Sequence, residues 1–470
     1  MILKQYYLAC LSHASYLIAD EVTKTAVVVD PQRDTEQYIA DAAARGLTIR
    51  HVFLTHFHAD FVAGHLELAA KTGATIHLGA RARADYAFTP MQDGAELEFG
   101  SVRLRVLETP GHTPESVSLL VFDLAKQREK PHAVLTGDTL FIGDVGRPDL
   151  MASIGITAAD LAGMMYDSLH GKLMKLPDET LLYPAHGAGS SCGKNLSKDT
   201  VSTIGAQRAS NYMLRPMSRA SFVEQLTQGQ PPAPRYFGYD AQMNKEKRDT
   251  LETSLARTLQ PLTLEQLLAH QKAGGLVLDT RHSDEYAQAH LAGSVSIGLW
   301  GKYANWAGTL LDPRQPLALI SAPGAERESA MRLGRIGFDR VSGYLAGGMN
   351  ALTGRAELLA RFDRVEPTEA FARLRAGGIV MLDVREPGER ENARVEGTLA
   401  IPLAQLEARM NELPQTGALA VHCAGGYRST IACSLLQRAG RSGLVDVRGG
   451  MAGWQQCGLP TQHGTASCGA

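Results

Sequence analysis

Histidine and aspartate residues stand in short turns at four places in the first 190 residues of the chain. The first turn, THFHADF, follows the apolar run HVFL and contains His56, His58 and Asp60. The other turns also follow apolar runs, and they contain His112 in TPGHTPES, Asp138 in LTGDTLF and His186 in YPAHGAG. Imidazoles and carboxylates are common ligands of divalent metals. One such histidine alone would more often be a surface or core residue, but their recurrence in the same context predicts a metal site.

One of the six cysteines also has surroundings that could support chemistry. Cys423 follows an apolar run in LAVHCAGGYRST, and a loop with two glycines leads from it to Arg428 and a helical stretch. A loop between the end of a strand and the start of a helix points several backbone N–H groups at one centre, which stabilises a thiolate. With the positive charge of Arg428, this predicts that Cys423 is a nucleophile. The alternative is a buried core thiol.

A second cysteine lies near a predicted metal ligand. Cys192 stands six residues after His186 in the glycine-rich stretch AHGAGSSCGKN. It could be a reactive thiol that takes part in chemistry at this site, or it could be an inert small residue. The remaining cysteines are too sparse and scattered to form a disulfide framework, and we expect Cys10, Cys433, Cys457 and Cys468 to be free thiols.

The elements that must position these residues are strands that end at the polar turns. Apolar runs predict a helix at 35–45 and strands at 26–30, 51–54, 102–107, 117–122 and 133–135. A sheet whose loops carry histidine or aspartate presents its ligands together at one edge. The stretch GQPPAPRYFG at 229–238, which is rich in proline, predicts an extended connector after this unit.

The rest of the chain repeats itself. VLDTRHSDEY at 277–286 corresponds to MLDVREPGER at 381–390, and Gly347-Gly348-Met349 corresponds to Gly449-Gly450-Met451. Each of these two units of about a hundred residues alternates strand-like and helical stretches, which predicts α/β domains with mostly parallel sheets. Ser321 stands where Cys423 stands in the second repeat, and the loop to Arg327 has one residue more. A serine hydroxyl has no thiolate to offer, so the first repeat is expected to be inactive.

Composition excludes several classes of partner. The 470 residues carry 47 Lys and Arg against 49 Asp and Glu, a formal net charge of −2. This balance gives no basic footprint for nucleic acid or anionic lipid. We find no apolar run of 18 residues or more and no targeting segment, so we expect a soluble, cytoplasmic protein that acts on small molecules.

The turns of the first unit resemble the metallo-β-lactamase superfamily, whose signature HxHxDH is followed by further His, Asp and His ligands. Phe61 departs from that signature, because it stands where binuclear zinc hydrolases have the last histidine. A second metal would keep little more than Asp60 and His186, which argues against a pair of ions holding a hydroxide.

THFHADF, GHTPES and TGDTLFIGDVGRPDL resemble the persulfide dioxygenases, a mononuclear iron branch of this superfamily. The resemblance implies one Fe(II) per chain, bound by His56, His112 and Asp138 as a facial triad with open positions for O2 and a substrate sulfur. His58, Asp60 and His186 would then hold the ligands in place. Arg147, Cys192 and Tyr183 are the predicted substrate-binding residues. Arg147 matches the family's contact to the thiol carrier, although an ion pair with Asp149 or Asp144 is the alternative.

The loop CxxGxR, with LDVRE at 382–386 and GGMAGW at 449–454, resembles the rhodanese sulfurtransferases. In that family the loop cysteine carries a persulfide. Related phosphatases have one more residue between cysteine and arginine, so the four intervening residues here favour sulfur over phosphate. The resemblance implies that Cys423 and Arg428 are catalytic and that the first repeat is a degenerate rhodanese domain.

The sequence therefore predicts an αββα metallo-β-lactamase sandwich with an extension at 1–240, an inactive α/β rhodanese-like domain at 255–358 and an active one at 362–465. The predicted reaction is the oxidation of a glutathione, coenzyme A or similar persulfide by O2 to sulfite and thiol, coupled to sulfur transfer at Cys423 that makes or uses thiosulfate. We also expect a homo-oligomer. The alternatives are a zinc thioester hydrolase resembling hydroxyacylglutathione hydrolase, and a persulfide carrier or sensor with a vestigial metal site.

Overall fold

The computed structural model describes residues 1–150, 155–230 and 232–464, which form two compact units. The first unit contains Met1–Ser254 and also the short segment Leu333–Phe338, and the second contains Leu255–Arg332 and the chain from Asp339 onward. Pro231 of the predicted connector, Cys468 and the predicted domain end at 465 lie outside the described residues.

Two six-stranded sheets form the scaffold of the first unit. The strands of the first sheet follow one another in chain order, and they are β1 (Ile2–Leu8), β2 (His13–Asp20), β3 (Thr25–Val29), β4 (Thr48–Phe53), β5 (Thr75–Gly79) and β6 (Thr89–Met91). The pairs β1–β2 and β2–β3 are antiparallel, whereas β3 to β6 are parallel. The strands of the second sheet are β7 (Glu96–Phe99), β8 (Val102–Glu108), β9 (Val117–Asp123), β10 (Ala133–Gly137), β11 (Leu181–Pro184) and β12 (Ser202–Thr203).

Alternation along the strands builds two apolar layers. Val117, Leu119 and Val121 of β9 pack with residues of the first sheet in the core between the sheets. The intervening Leu120 and Phe122 pack instead with buried residues of the helical segments that cover the outer face of the second sheet. This is the period of two expected of a sheet that is buried on both faces. The result is the predicted αββα sandwich.

Helices cover both outer faces of the sandwich. Those of the first unit are α1 (Glu36–Ala44), α2 (His65–Thr72), α3 (Ala158–Gly171), α4 (Ile204–Ser210), α5 (Arg219–Thr227) and α6 (Phe237–Met243), and α7 (Leu251–Thr258) crosses the boundary to the second unit. The predicted helix at 35–45 is present as α1, and the five predicted strands are present to within three residues of their predicted bounds. The prediction of an extended connector at 229–238 was wrong at its carboxyl end. Tyr236 and Phe237 are buried there, since α6 packs against the first unit.

The two repeats have the same sheet topology. The strands of the first repeat are β13 (Pro261–Leu262), β14 (Leu276–Asp279), β15 (His290–Leu291), β16 (Val295–Ser296), β17 (Leu317–Ile320), β18 (Val341–Leu345) and β19 (Leu359–Ala360). Those of the second repeat are β20 (Asp363–Val365), β21 (Val380–Asp383), β22 (Leu399–Ala400), β23 (Leu419–His422) and β24 (Leu444–Val447). The parallel sheets are ordered β13-β18-β17-β14-β16 and β20-β24-β23-β21-β22, while β15 and β19 pair separately. This common order confirms the predicted α/β duplication.

Helices flank both sheets of the repeats. They are α8 (Leu264–Lys272), α9 (Ser283–Gln288), α10 (Tyr303–Leu310) and α11 (Glu326–Gly334) in the first repeat, and α12 (Pro367–Arg375), α13 (Pro387–Asn392), α14 (Leu406–Arg409), α15 (Tyr427–Arg438) and α16 (Gly450–Gln456) in the second. Among the residues that the structure describes, no helix combines the length and the apolar character needed to cross a bilayer.

Candidate metal centre and nucleophilic cysteine

The six predicted metal-site residues come together at one edge of the sandwich, in loops that follow β4, β8, β10 and β11. His56, His58 and Asp60 follow β4, His112 follows β8, Asp138 follows β10 and His186 follows β11, and each is at most 5% exposed. Gly146 of GDVGRPD allows one of these loops to close, because a Cβ there would lie 1.9 Å from the carbonyl oxygen of Asp138.

His56, His112 and Asp138 form a compact donor set. One donor atom from each lies within 4.8 Å of the others. The Nε2 atoms of His56 and His112 lie 3.7 and 3.5 Å from Oδ2 of Asp138. Both His112 Nε2 and Asp138 Oδ2 are buried without a hydrogen-bond partner among the described residues. Buried polar atoms are costly unless they are paired, so two orphaned donor atoms that face each other fit a bound cation.

The neighbours of the two histidines select the tautomer that a metal needs. His112 Nδ1 donates to the carbonyl oxygen of Arg147 at 2.8 Å, which leaves Nε2 with its lone pair. His56 Nδ1 lies 3.0 Å from the hydroxyl oxygen of Thr55, and that hydroxyl donates to Asp30 Oδ2 at 2.8 Å. The Thr55 oxygen therefore accepts from His56 Nδ1–H, and Nε2 is again the free lone pair.

Electrostatics favour the ligating protonation states. Burial and the neighbouring His58 hold the pKa of His56 well below its ordinary value, and burial lowers the pKa of His112. Burial alone would raise the pKa of Asp138, but the adjacent His186 and His56 hold it well below its ordinary value. Neutral imidazoles beside an ionised carboxylate are the forms that bind a divalent metal.

A second donor set lies beside the first. His58, Asp60 and His186 also place their donor atoms within 4.8 Å of one another, so His58 joins the two ligands that the sequence left for a second metal. His186 bridges the sets, because Nδ1 lies 2.7 Å from Asp138 Oδ1 and Nε2 lies 2.9 Å from Asp60 Oδ2. Phe61 fills the space next to them, with its ring centroid 4.4 Å from that of His58.

The three predicted substrate-binding residues have different surroundings. Arg147 is 1% exposed, and it pairs with both carboxylate oxygens of Asp149 at 2.7 and 2.8 Å, which is the alternative that the sequence left open. Cys192 is buried, with Sγ within 4.8 Å of donor atoms of Asp138 and His186. Burial, Asp60 and Asp138 raise the pKa of this thiol. Tyr183 packs in the core between the sheets, 5.5 Å from the Tyr16 ring, so the structure does not bring it to the donor sets.

Two further buried residues, His13 and Tyr236, lie beside these donors and were not predicted from the sequence. His13 stands at the start of β2, is 0% exposed, and packs its ring 3.9 Å from that of Phe61. Tyr236 is buried before α6, and burial together with Asp60 raises the pKa of its hydroxyl. The only signal for His13 was a lone histidine before an apolar strand, and Tyr236 lay in the predicted connector.

Cys423 lies in a loop between β23 and α15, as predicted. Gly426 donates its backbone N–H to Sγ at 3.1 Å, and Ser429 Oγ lies 3.6 Å from the same sulfur. Gly450 packs beneath the loop, where a Cβ would lie 2.3 Å from the carbonyl oxygen of Cys423. Arg428 pairs with both carboxylate oxygens of Glu389 at 2.7 and 2.6 Å. The buried sulfur thus accepts one backbone N–H and lies next to a hydroxyl that can accept its proton.

The corresponding loop of the first repeat holds a hydroxyl cluster instead. Ser321 follows β17 as Cys423 follows β23, and it is 2% exposed. Its hydroxyl lies 2.9 Å from that of Thr280 and 3.0 Å from that of Ser329, and Thr280 and Ser329 are themselves 3.0 Å apart. Arg327 of this loop is exposed. The three hydroxyls are therefore hydrogen-bonded to one another, and no thiol stands at this position.

Comparisons with known proteins match three regions of the chain. Residues 8–186 match the metallo-beta-lactamase superfamily, and residues 263–354 and 366–457 each match the rhodanese-like domain. The human mitochondrial persulfide dioxygenase ETHE1 is 28% identical over 52% of this chain and 87% of its own length. The hydroxyacylglutathione hydrolase of Rhodospirillum rubrum is 31% identical over 49% of this chain and 80% of its own length.

A solved structure extends the likeness beyond the first unit. The crystal structure of a metallo-beta-lactamase from Staphylococcus aureus is 32% identical and covers 73% of this chain and 98% of that chain, with a TM-score of 0.65.

Proposed function

Since the chain belongs to the metallo-β-lactamase superfamily and carries two rhodanese-like domains after that region, we propose that it is a persulfide dioxygenase with its own sulfurtransferase. The observation that carries the proposal is the donor set of His56, His112 and Asp138, in which His112 Nε2 and Asp138 Oδ2 are buried without a hydrogen-bond partner among the described residues. Two histidines and one carboxylate are the ligands of non-haem iron oxygenases. The likeness to ETHE1 over 52% of the chain supports the same reading.

The proposed first reaction converts a low-molecular-weight persulfide, O2 and water into sulfite and the free thiol. Fe(II) held by the three donors would supply adjacent open positions at which O2 and the outer persulfide sulfur meet. Thr55 and the carbonyl of Arg147 orient the two imidazoles, and His186 orients the carboxylate of Asp138. Glutathione and coenzyme A persulfides are the candidate substrates. Arg147 donates to the carbonyl oxygens of Ser191 and Cys192, so the loops that carry Arg147 and Cys192 are held together beside the donor set.

The proposed second reaction occurs at Cys423. The thiolate takes the outer sulfur of a second persulfide, releasing the thiol, and the N–H of Gly426 stabilises the charged sulfur. Sulfite then takes that sulfur, which gives thiosulfate and regenerates Cys423. The same steps run in reverse when thiosulfate is in excess. The product of the first reaction is therefore a substrate of the second.

Anaerobic purification with metal analysis tests the first reaction, followed by measurement of oxygen uptake on addition of glutathione persulfide. We expect one iron per chain and one O2 consumed for each sulfite formed. One or two zinc ions per chain, with no oxygen uptake by the iron-reconstituted protein, would overturn the proposal.

Replacement of Cys423 separates the two reactions. Cys423→Ser is expected to abolish thiosulfate formation and to leave sulfite production intact, because the sulfur acceptor is lost while the donor set is untouched. Cys433→Ala, a buried thiol of α15 in the same domain, is the matched control and should keep both activities. Loss of sulfite production in Cys423→Ser would contradict two sequential sites.

A zinc thioester hydrolase is the second candidate. The donor set of His58, Asp60 and His186 favours it, as does the 31% identity to a hydroxyacylglutathione hydrolase. Phe61 weighs against it, because an apolar ring occupies the place of a metal-binding histidine. Hydrolysis of a hydroxyacylglutathione thioester by the zinc-loaded protein, with no oxygen uptake by the iron form, would establish this alternative.

A further inference from the structure

The loop that carries three of the six predicted metal-site residues is held by residues far outside the region that matches the metallo-beta-lactamase superfamily, which ends at residue 186. The side chain of Asn244, at the end of α6, donates to the carbonyl oxygens of His58 and Phe61, both at 2.8 Å. Its Oδ1 accepts from the backbone N–H of Ala63 at 2.8 Å. One buried side chain therefore clamps both ends of the segment 58–63.

The backbone N–H of Val62, between the residues that Asn244 contacts, donates to a residue much later in the chain. Val62 is 0% exposed, and its N–H donates to the carbonyl oxygen of Arg335 at 2.7 Å. Arg335 lies in the segment Leu333–Phe338, which belongs to the first compact unit, although in sequence it is part of the first rhodanese-like match at 263–354. A buried N–H without a partner is costly, so the position of this carbonyl affects the ligand loop directly.

One ion pair and one hydrogen bond restrain the backbone on either side of that carbonyl. The guanidinium of Arg335 pairs with both carboxylate oxygens of Asp34 at 2.8 and 2.7 Å, and their side chains are only 11% and 23% exposed. Arg33, which is 1% exposed, donates from Nη1 to the carbonyl oxygen of Gly334 at 2.6 Å. A bidentate arginine–carboxylate pair restrains orientation as well as distance.

We propose that the segment Leu333–Phe338 of the degenerate repeat is a positioning element of the metal centre, acting through the Arg335 carbonyl and the Val62 N–H. Val62 stands two residues after Asp60 and four after His58, so a shift of this segment displaces the residues that pack around Asp138 and His186. The inference rests on the proposed metal centre, but it holds for any metal and any substrate. It gives the repeat a function that needs no cysteine, in keeping with Ser321.

Cobalt(II) binding to the full-length protein tests the proposal, because it reports on the centre without turnover. The variants are Arg335→Ala and Asp34→Ala, together with the charge swap Asp34→Arg/Arg335→Asp. Arg340→Ala is the matched control, since Arg340 is exposed and its guanidinium donates to the carbonyl oxygen of Arg314. Each variant is titrated anaerobically with Co(II), and the visible absorption spectrum of the bound ion is recorded.

We expect each single variant to bind Co(II) about 10-fold more weakly, as is typical when a partner that orients a ligand is removed. The spectrum should change as well, whereas a loss of overall stability alone would leave the spectrum of the bound fraction unchanged. The charge swap should recover part of the affinity, and Arg340→Ala should match the wild type. Sulfur transfer from thiosulfate to cyanide at Cys423 should persist in all variants, which establishes that the second unit is folded.

Wild-type affinity and spectrum in both single variants would overturn the proposal. The two hypotheses fail separately. If the wild type binds Co(II) and the variants bind it weakly, but the iron form consumes no oxygen, the dioxygenase proposal fails and the positioning role stands.

Discussion

At the scale of single residues, the metal centre depends on which atoms are left without partners. Hydrogen bonds at Nδ1 of His56 and His112 leave both Nε2 atoms facing Asp138. In the second donor set, His186 lies between the carboxylates of Asp138 and Asp60 and contacts both. The apolar ring of Phe61 packs beside His186. We therefore expect Phe61 to decide whether the centre binds one metal ion or two.

Replacement of this phenylalanine should change metal stoichiometry. Phe61→His adds an imidazole next to His58, Asp60 and His186, so we expect zinc binding to rise from about one to about two ions per chain. Phe61→Leu keeps the position apolar and serves as the control at about one ion. Equilibrium dialysis with metal analysis measures the difference. An unchanged zinc content in Phe61→His would show that the second donor set does not bind metal.

At the scale of elements, both sites are built where a strand ends and the chain turns. Gly426 is the cap residue of α15, and its φ of +92° is a left-handed conformation that favours glycine. The same residue donates the N–H that binds Cys423 Sγ. Helix geometry and sulfur binding therefore depend on one backbone conformation.

Gly426→Ala should consequently impair sulfur transfer and also lower stability by about 1–2 kcal/mol, the cost of a left-handed conformation with a Cβ. Gly425→Ala is the matched control, because Gly425 has no positive φ and nothing lies within 4 Å of an added Cβ. Steady-state transfer of sulfur from thiosulfate to cyanide and urea unfolding measure the two effects. Equal activity of the two variants would contradict a role for the Gly426 backbone.

Helix α2 contributes a buried carboxylate that ties distant segments together. Glu67 is 2% exposed, and it accepts from Arg33 at 3.2 Å, from Arg248 at 2.6 Å and from the N–H of Leu251 at 3.1 Å. Burial would raise its pKa, but Arg248 and Arg33 lower it below the ordinary value of 4.5. The ionised form is thus favoured in the folded state.

The stability that Glu67 contributes is complete above its ordinary pKa and is lost as the pH falls through the lower pKa of the folded state. Glu67→Gln should destabilise the first unit by about 3 kcal/mol at neutral pH, because two buried arginines lose their charge partner. The deficit should shrink on acidification. Glu36→Gln, which removes an exposed partner of Lys71, should change stability by less than about 0.5 kcal/mol. Urea unfolding at several pH values measures both, and a deficit that does not vary with pH would contradict this assignment.

Local patterns predicted the elements and the polar turns because those depend on neighbouring residues. Apolar runs predicted β3, β4, β8, β9 and β10. The residues that follow β4, β8 and β10 belong to the donor sets. The substrate-binding role predicted for Tyr183 stays a prediction, and alternation along β11 packs this side chain against the core between the sheets. Asn244 and Arg335 could not have been found, because their partners lie more than 180 residues earlier in the chain and a lone asparagine or arginine carries no periodic signal.

At the scale of the whole molecule, the tail is a duplication in which both copies have the same sheet topology. The two sheets share their strand order, yet Ser321 after β17 joins a cluster of three hydroxyls, whereas Cys423 after β23 is a sulfur that accepts a backbone N–H. Sheet topology therefore does not by itself create the sulfur site.

Restoring the missing cysteine should not restore activity. In a Cys423→Ser background, Ser321→Cys places a thiol between Thr280 and Ser329, with Arg327 exposed and no short loop around it, so the thiolate is not stabilised. We expect sulfur transfer to stay at the level of Cys423→Ser alone. Sulfur transfer to cyanide above that background would show that the first repeat lost only its nucleophile.

The segment Leu333–Phe338 belongs to the first unit although it is late in the sequence, which has a consequence for folding during synthesis. Residue 62 emerges during synthesis long before residue 335, and domains generally fold as they are synthesised, from the amino terminus onward. The ligand loop therefore cannot acquire its last backbone partner until most of the first repeat has been translated. We expect metal loading to be a late event in biosynthesis, so that a nascent or truncated chain does not carry a reactive metal before the sulfur-transfer domain is about to follow.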